Sequence, residues 1–150
     1  TSTFFILMVI SLVDVLAGAL QLAHDRGVVH RDLKPANVVS HRFESGEVVF
    51  KLIDFGIANI READETRLTG RREFLGTVHY ASPEQLRGEA VDARSDVYSL
   101  GAMAFELLTG RPPFDHADPL ALAMQHLTLT PPRPSTARPA SRRSAFRLRT

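Results

Sequence analysis

The sequence predicts an α+β fold that is mainly helical and contains small β-hairpins. Apolar residues recur every three or four positions from about Leu7 to Asp25 and again from about Ser95 to Thr109, which is the spacing of an amphipathic helix. Between them, two short β-branched runs between Val38 and Ile53 flank a turn, which is typical of a hairpin. With 150 residues, of which 44% are hydrophobic, the chain is long enough to bury a single core.

The first predicted helix has two distinct sides. One side is apolar and consists of Val9, Leu12, Leu16, Ala19, Leu20 and Ala23. The other is a polar stripe of Ser11, Asp14, Gly18, Gln21 and Asp25. The apolar stretch approaches the roughly 20 residues that a membrane span needs, so a span is the alternative. The polar stripe favours a helix that is buried on one side, so we expect no membrane segment in this chain. Gly27 is placed to end the helix.

The hairpin is expected to consist of Val38 and Val39, a turn at 44–47 that contains Gly46, and a second strand at 48–53. Residues 57–75 are polar and charged, which predicts an exposed, mobile segment.

The helix from about Ser95 to Thr109 is expected to end at Gly110, because Pro112 and Pro113 cannot continue it. A further helix is predicted over residues 118–129.

Charge and composition divide the chain into two parts. Residues 1–130 carry 12 Lys and Arg against 17 Asp and Glu, whereas residues 131–150 carry six Arg and no acid. We therefore expect a domain at 1–130 and a disordered tail, rich in Arg, Pro and Ser, at 131–150. An arginine tail is also a candidate for binding nucleic acid or an anionic membrane, but Phe146 is its one aromatic residue, so we expect no nucleic-acid partner. The absence of cysteine excludes disulfides and thiolate zinc sites and is compatible with the cytoplasm.

Two motifs carry chemistry: HRDLKPANV at 30–38 and DFG at 54–56. They present a carboxylate, a lysine, an amide and a second carboxylate, the groups that phosphoryl transfer from magnesium-bound ATP requires. These residues resemble the catalytic and magnesium-binding loops of the eukaryotic-type protein kinases. The resemblance implies that Asp32 is the catalytic base, that Lys34 neutralises charge on the transferring phosphoryl group, and that Asn37 and Asp54 hold the Mg²⁺ ions of ATP.

The same resemblance implies supporting roles for the neighbours of these residues. Phe55 is expected to pack against His30, with Gly56 completing the motif as a structural residue, and Val39 and Ile53 are expected to line the adenine pocket.

Three later motifs distinguish a protein kinase from a small-molecule phosphotransferase, which carries a similar catalytic loop. They are GTVHYASPE at 76–84, DVYSLG at 96–101 and ELLTGRPPF at 106–114. By resemblance, Thr77 bonds the base and the catalytic lysine, Asp96 tethers the backbone of the catalytic loop, and Glu84 pairs with an arginine in later helices. Lys34 together with Thr77 is typical of serine/threonine specificity, and the SPEQ sequence looks like the bacterial branch of the family.

The resemblance also implies a regulatory site. Arg31 resembles the residue that grips a phosphate on the activation segment, and Thr66 or Thr69 would carry that phosphate. The alternative is that both threonines are ordinary solvated loop residues.

The resemblance covers about residues 5–128, which correspond to the larger, C-terminal lobe of a kinase without its last helices. The sequence contains no G-x-G-x-x-G pattern, and its only lysines are Lys34 and Lys51, both downstream of the catalytic aspartate. Because the chain opens on Thr1 and no basic residue precedes Arg26, we expect a piece of a longer cytoplasmic protein, which is compatible with a membrane anchor elsewhere in that protein. We expect a protein substrate, ATP and Mg²⁺ for that protein, and little activity for the isolated chain. A pseudokinase-like binding module is the alternative.

Overall fold

The computed structural model describes residues 2–55 and 71–136, with side chains described for residues 5–55 and 75–135. In chain order the helices and strands are α1 (Ser2–His24), β1 (Val38–Arg42), β2 (Val48–Leu52), α2 (Arg71–Val78), α3 (Pro83–Arg87), α4 (Ala93–Thr109) and α5 (Pro119–Thr128). Single turns of 3₁₀ helix lie at Pro35–Asn37 and Pro134–Thr136. The mainly helical fold with a β-hairpin confirms the predicted fold class.

Helix α1 packs one side of its surface against α4. It begins at Ser2, five residues earlier than predicted, because residues 2–6 contain no glycine or proline to stop it. Gly27, with φ of 73°, follows its end as expected. The four large apolar residues predicted to face the core are all buried, and they form one cluster with residues of the catalytic loop, β1 and α4: Val9, Leu12, Leu16, Leu20, Leu33, Val38, Met103 and Leu107.

Seven other large apolar side chains of α1 are exposed. They are concentrated in its first turns and comprise Phe5, Ile6, Leu7, Met8, Ile10, Val15 and Leu22. Within Phe5–His24, the most apolar 18-residue stretch has a mean hydropathy of 2.3, and 22% of that stretch is buried. By length and composition this helix could cross a membrane, a test that signal sequences and the core helices of globular proteins also pass. The absence of a membrane segment therefore stays a prediction.

Strands β1 and β2 form the expected antiparallel hairpin. Val38 pairs with Leu52 and Val39 with Lys51, and the turn closes through a 2.9 Å bond from the Phe43 N–H to the Glu47 carbonyl oxygen. Gly46 adopts φ of 86°, which the turn requires. Because side chains alternate along a strand, Val38 and Leu52 face the core, and Val39 shares the opposite face with Lys51.

The segment at 57–75 differs from the prediction in its last residues. Residues 71–75, expected to belong to an exposed, mobile segment, lie in α2. This helix is stabilised because Leu75 and Val78, three positions apart, pack into a second cluster with Phe114 and Leu122. The rest of the predicted segment, residues 57–70, lies outside the described residues.

Helices α4 and α5 match the prediction closely. Helix α4 ends at Thr109 with Gly110 in the left-handed conformation at φ of 78°, and Asp92 caps its start by accepting from the Arg94 N–H at 2.8 Å. Asp118 caps α5 by accepting from the Ala121 N–H at 3.0 Å.

Candidate active site

Asp96, near the start of α4, organises the loop between α1 and β1. Its carboxylate is 1% exposed, and it accepts hydrogen bonds from the backbone N–H groups of His30 at 2.8 Å and Arg31 at 2.9 Å. The same carboxylate contacts His24 Nε2 at 2.7 Å, at the end of α1. Asp96 therefore tethers the backbone of the catalytic loop, as expected, and also contacts the end of α1. These partners supply the hydrogen-bond donors that a buried carboxylate needs.

The tether holds an unusual backbone conformation. Arg31 has φ of 67°, in the left-handed region, which costs a residue other than glycine about 1–2 kcal/mol. Such a conformation persists only where surrounding contacts hold it, and it is common next to reacting groups. The next residue in the chain is Asp32.

Asp32, Lys34, Asn37 and Thr77 form one connected group. Lys34 Nζ lies 2.9 Å from Asp32 Oδ2 and donates to Thr77 Oγ1 at 3.0 Å. Asn37 Nδ2 donates to the Asp32 carbonyl oxygen at 2.7 Å and to Asp32 Oδ2 at 3.1 Å. Thr77 was expected to bond both the base and the lysine, and the described bond is the one to the lysine. The carboxylate of Asp32 is thus oriented by two donors while about a fifth of its side chain remains exposed.

Burial favours the neutral form of His30. Burial lowers the pKa of His30 below its ordinary value of 6.5, although the Ile53 carbonyl and the carboxylates of Asp96, Asp32 and Asp54 act in the opposite direction. Its Nε2 lies 3.1 Å from the Ile53 carbonyl oxygen, and its Nδ1 accepts from the Asp32 N–H at 3.3 Å. Both bonds are satisfied by a neutral ring that carries its proton on Nε2. The ring of Phe55 lies 4.6 Å from that of His30, which is the contact predicted for this pair.

The hairpin brings the two expected magnesium ligands to one place. The Ile53 N–H donates to the Asn37 carbonyl oxygen at 2.9 Å, so Asp54 follows directly on the residue paired with Asn37. Asp54 is exposed and has φ of 54°, and no described hydrogen bond uses its carboxylate or the Oδ1 atom of Asn37. Two free oxygen groups suit Mg²⁺, which is usually bound by one or two protein oxygens together with substrate phosphates. The described residues contain no group of three or more His, Asp or Glu that would hold a metal by themselves.

The positions expected to line the adenine pocket are half-buried and lie on the same side of the hairpin. Val39 is paired with Lys51, and Ile53 is paired with Asn37 through its backbone N–H. Because Ile53 lies two residues after Lys51, it is on the same face of the hairpin as Val39. This face is opposite the core, beside Asn37.

The SPEQ segment is anchored to α4. Glu84 accepts a hydrogen bond from the Ser95 hydroxyl at the start of that helix. Burial by itself would raise the pKa of Glu84, but hydrogen bonds from Ser95, its own backbone and Ser82, together with the charge of Arg87, bring the pKa below its ordinary value. The predicted arginine partner of Glu84 stays a prediction.

Comparison of the sequence with known proteins shows the family of this chain. The family described as "Protein kinase domain" matches residues 8–142. The chain belongs to the protein kinase domain family. It is 46% identical over 124 residues to the serine/threonine-protein kinase PknF of Mycobacterium tuberculosis, covering 83% of this chain and 26% of that protein.

Other relatives carry similar names. The serine/threonine-protein kinase PknB of Mycobacterium leprae is 48% identical over 117 residues, which is 78% of this chain and 18% of that protein. A probable serine/threonine-protein kinase of Streptomyces coelicolor is 48% identical over 121 residues, which is 81% of this chain and 17% of that protein. The chain thus spans about a quarter or less of the length of these relatives. Protein kinases as a family use ATP, Mg²⁺ and protein substrates.

Some residues predicted for this kinase domain are not tested by the structure. Gly56, Thr66 and Thr69 lie outside the described residues. Arg31 is described, but no described contact involves its guanidinium group, so its regulatory role stays a prediction.

Two residues of the site were missed by the sequence analysis. One is His24, which contacts Asp96. The other is Gln85, whose Nε2 donates to the Arg31 carbonyl oxygen at 2.5 Å. The S-x-x-Q pattern of Ser82 to Gln85, followed by a turn of helix, is a capping-box signature and would have predicted α3. The position of His24, by contrast, has no local signature, because its partner is 72 residues away.

Proposed function

We propose that this chain carries the phosphoryl-transfer residues of a serine/threonine protein kinase. The observation that carries the proposal is the contact of Lys34 Nζ with both Asp32 Oδ2 and Thr77 Oγ1, at 2.9 and 3.0 Å. It joins a base, a cation and the end of the activation segment at one point. The match of residues 8–142 to the protein kinase domain family favours this reading over a small-molecule phosphotransferase.

Each group has a defined task in this proposal. Asp32 accepts the proton of the substrate Ser or Thr hydroxyl, and the two donors on its Oδ2 leave Oδ1 to receive that proton. Lys34 remains beside the transferring group and offsets its negative charge. Asn37 Oδ1 and the Asp54 carboxylate would hold Mg²⁺, which supplies charge neutralisation on the phosphates of ATP when bound.

A chimera tests this assignment. The 124-residue segment of M. tuberculosis PknF that matches this chain would be replaced by the segment of this chain, and transfer of labelled phosphate from ATP to protein would be measured. We expect phosphoserine and phosphothreonine in the product, and a loss of about 10²–10⁴ in rate for the isosteric Asp32→Asn variant. A folded chimera that transfers no phosphate, or one whose Asp32→Asn variant keeps full activity, would contradict the proposal.

The 150 residues alone are proposed to transfer phosphate slowly or not at all. The sequence has no G-x-G-x-x-G pattern, and its only other lysine, Lys51, lies on β2 next to the catalytic loop. The same observation keeps a nucleotide-binding regulatory module as a second candidate. Magnesium-dependent binding of ATP by the chain, without transfer, favours that candidate, whereas labelled phosphate lost on Asp32→Asn favours an active chain.

A cytoplasmic location is also part of the proposal, because ATP is available there and the sequence has no cysteine for disulfides. Cell fractionation with an antibody against this chain tests it, and recovery outside the cytoplasm contradicts it.

A further inference from the structure

The backbone of Arg31 is held at both of its polar groups by side chains from other elements. Its N–H donates to Asp96 Oδ1 of α4 at 2.9 Å, and its carbonyl oxygen accepts from Gln85 Nε2 of α3 at 2.5 Å. These partners lie 65 and 54 residues away in the sequence. Because Arg31 occupies the left-handed region, at φ of 67°, these two contacts are suited to maintain a conformation that the residue would otherwise leave.

Gln85 is itself fixed in orientation. Its Oε1 accepts from the Ser82 N–H at 3.0 Å, while Ser82 Oγ accepts from the Gln85 N–H at 3.4 Å, so the two residues form a capping box. With the amide oxygen occupied by Ser82, the NH₂ group faces the Arg31 carbonyl. Glutamine meets both needs because one planar head group carries an acceptor and a donor, whereas glutamate would serve only the cap.

The position of Gln85 links two parts of the site. Ser82 is fully buried directly after Tyr80 and Ala81, at the end of the segment that also carries Thr77. Arg31 immediately precedes Asp32. The side chain of Gln85 therefore connects the segment that carries Thr77 with the backbone directly before Asp32.

We propose that Gln85 is a positioning residue that fixes the left-handed backbone at Arg31 and thereby the orientation of Asp32. Its consequence for catalysis rests on the proposed function, but the backbone effect does not, and the test below measures the backbone alone. Gln85 touches neither ATP nor the substrate hydroxyl in this proposal.

The test compares backbone amide spectra and hydrogen-exchange protection factors of the 150-residue chain with those of Gln85→Glu. This variant keeps an acceptor for the Ser82 N–H and loses the donor to Arg31. At pH 7 we expect the protection factor of the Arg31 amide to fall by tenfold or more and the Asp32 amide resonance to shift. Acidification below the carboxyl pKa should restore both, because a protonated carboxyl group is again a donor.

Two further variants separate positioning from capping. Ser82→Ala removes the cap hydroxyl and leaves the Gln85 contact with Arg31, so it should lower the unfolding midpoint without a selective loss of protection at Arg31. Gln85→Asn is uncharged but one methylene shorter and should reproduce the effect of Gln85→Glu, and it decides the question if Gln85→Glu does not fold. The proposal would be overturned if the Arg31 and Asp32 amides were unchanged in the folded Gln85→Glu and Gln85→Asn variants. It would also be overturned if Ser82→Ala lowered the protection factor of the Arg31 amide equally. Both outcomes can be read whether or not the chain proves to be a kinase.

Discussion

At the scale of single residues, His126 is the clearest case of a titratable group kept neutral by the fold. It is 4% exposed, its Nδ1 lies 2.8 Å from the Tyr98 hydroxyl, and its Nε2 has no partner among the described residues. Burial, and then the charge of His79, lower the pKa of His126 from 6.5 to about 4. The unfolded chain takes up a proton near pH 6.5 and the folded chain does not. The free energy of unfolding therefore falls as the pH drops from about 6.5 to about 4.

The prediction is a loss of about 2 kcal/mol from this residue between pH 7 and pH 5, measured by urea unfolding at the two pH values. His126→Gln is the control, because an amide still pairs with Tyr98 but does not titrate. Burial also lowers the pKa of His30, so the variant should keep part of the pH dependence. An identical pH dependence in the chain and the variant would show that His126 is not kept neutral.

At the scale of elements, α1 illustrates how burial on one side stabilises a helix. Leu12 is 2% exposed and packs in the core cluster, whereas Leu22 is 60% exposed on the same helix. Leu12→Ala should lower the free energy of unfolding by about 2–5 kcal/mol, because it removes buried methyl groups and leaves a cavity. Leu22→Ala, the same chemical change in the same helix, should change it by about 0.5 kcal/mol or less. Equal effects in chemical denaturation would mean that α1 does not pack as described.

The elements also show what local sequence can and cannot predict. Helices α4 and α5 and the hairpin were predicted within a few residues because their ends carry glycine, proline or aspartate signals that act locally. Helix α2 was missed because only contact with Phe114 and Leu122, about 40 residues later, makes Leu75 and Val78 a buried face. The roles of Asp32, Lys34, Asn37 and Asp54 came from resemblance to a family, and the structure adds the contacts that join Asp32, Lys34 and Asn37. His24 escaped prediction because its role depends on a distant partner.

At the scale of the whole molecule, the candidate site joins two separate apolar clusters. Lys34 follows Leu33, a member of the cluster around α1, whereas Thr77 precedes Val78, a member of the cluster around α5. The bond between Lys34 and Thr77 therefore bridges the two clusters. Tyr80, two residues after Val78, packs against the cluster around α1, and Ser99 of α4 donates to its carbonyl oxygen at 2.7 Å. The site geometry therefore depends on the packing of both clusters rather than on either one alone.

The exposed apolar residues of three helices lead to a prediction about the state of the chain in solution. Leu7 and Ile10 of α1 are 59% and 57% exposed, Val97 of α4 is 63% exposed, and Leu120 of α5 is 72% exposed. Because exposed apolar surface associates in water, the 150-residue chain should self-associate at micromolar concentration, with α1 contributing the largest share. Light scattering after size-exclusion chromatography should show a smaller mean mass for the double variant Leu7→Gln and Ile10→Gln. Ala17→Gln, which adds the same polar group at an exposed position of α1 without removing a large apolar side chain, should leave the mass unchanged. A chain that is monomeric at all concentrations would mean that these side chains do not meet one another in solution.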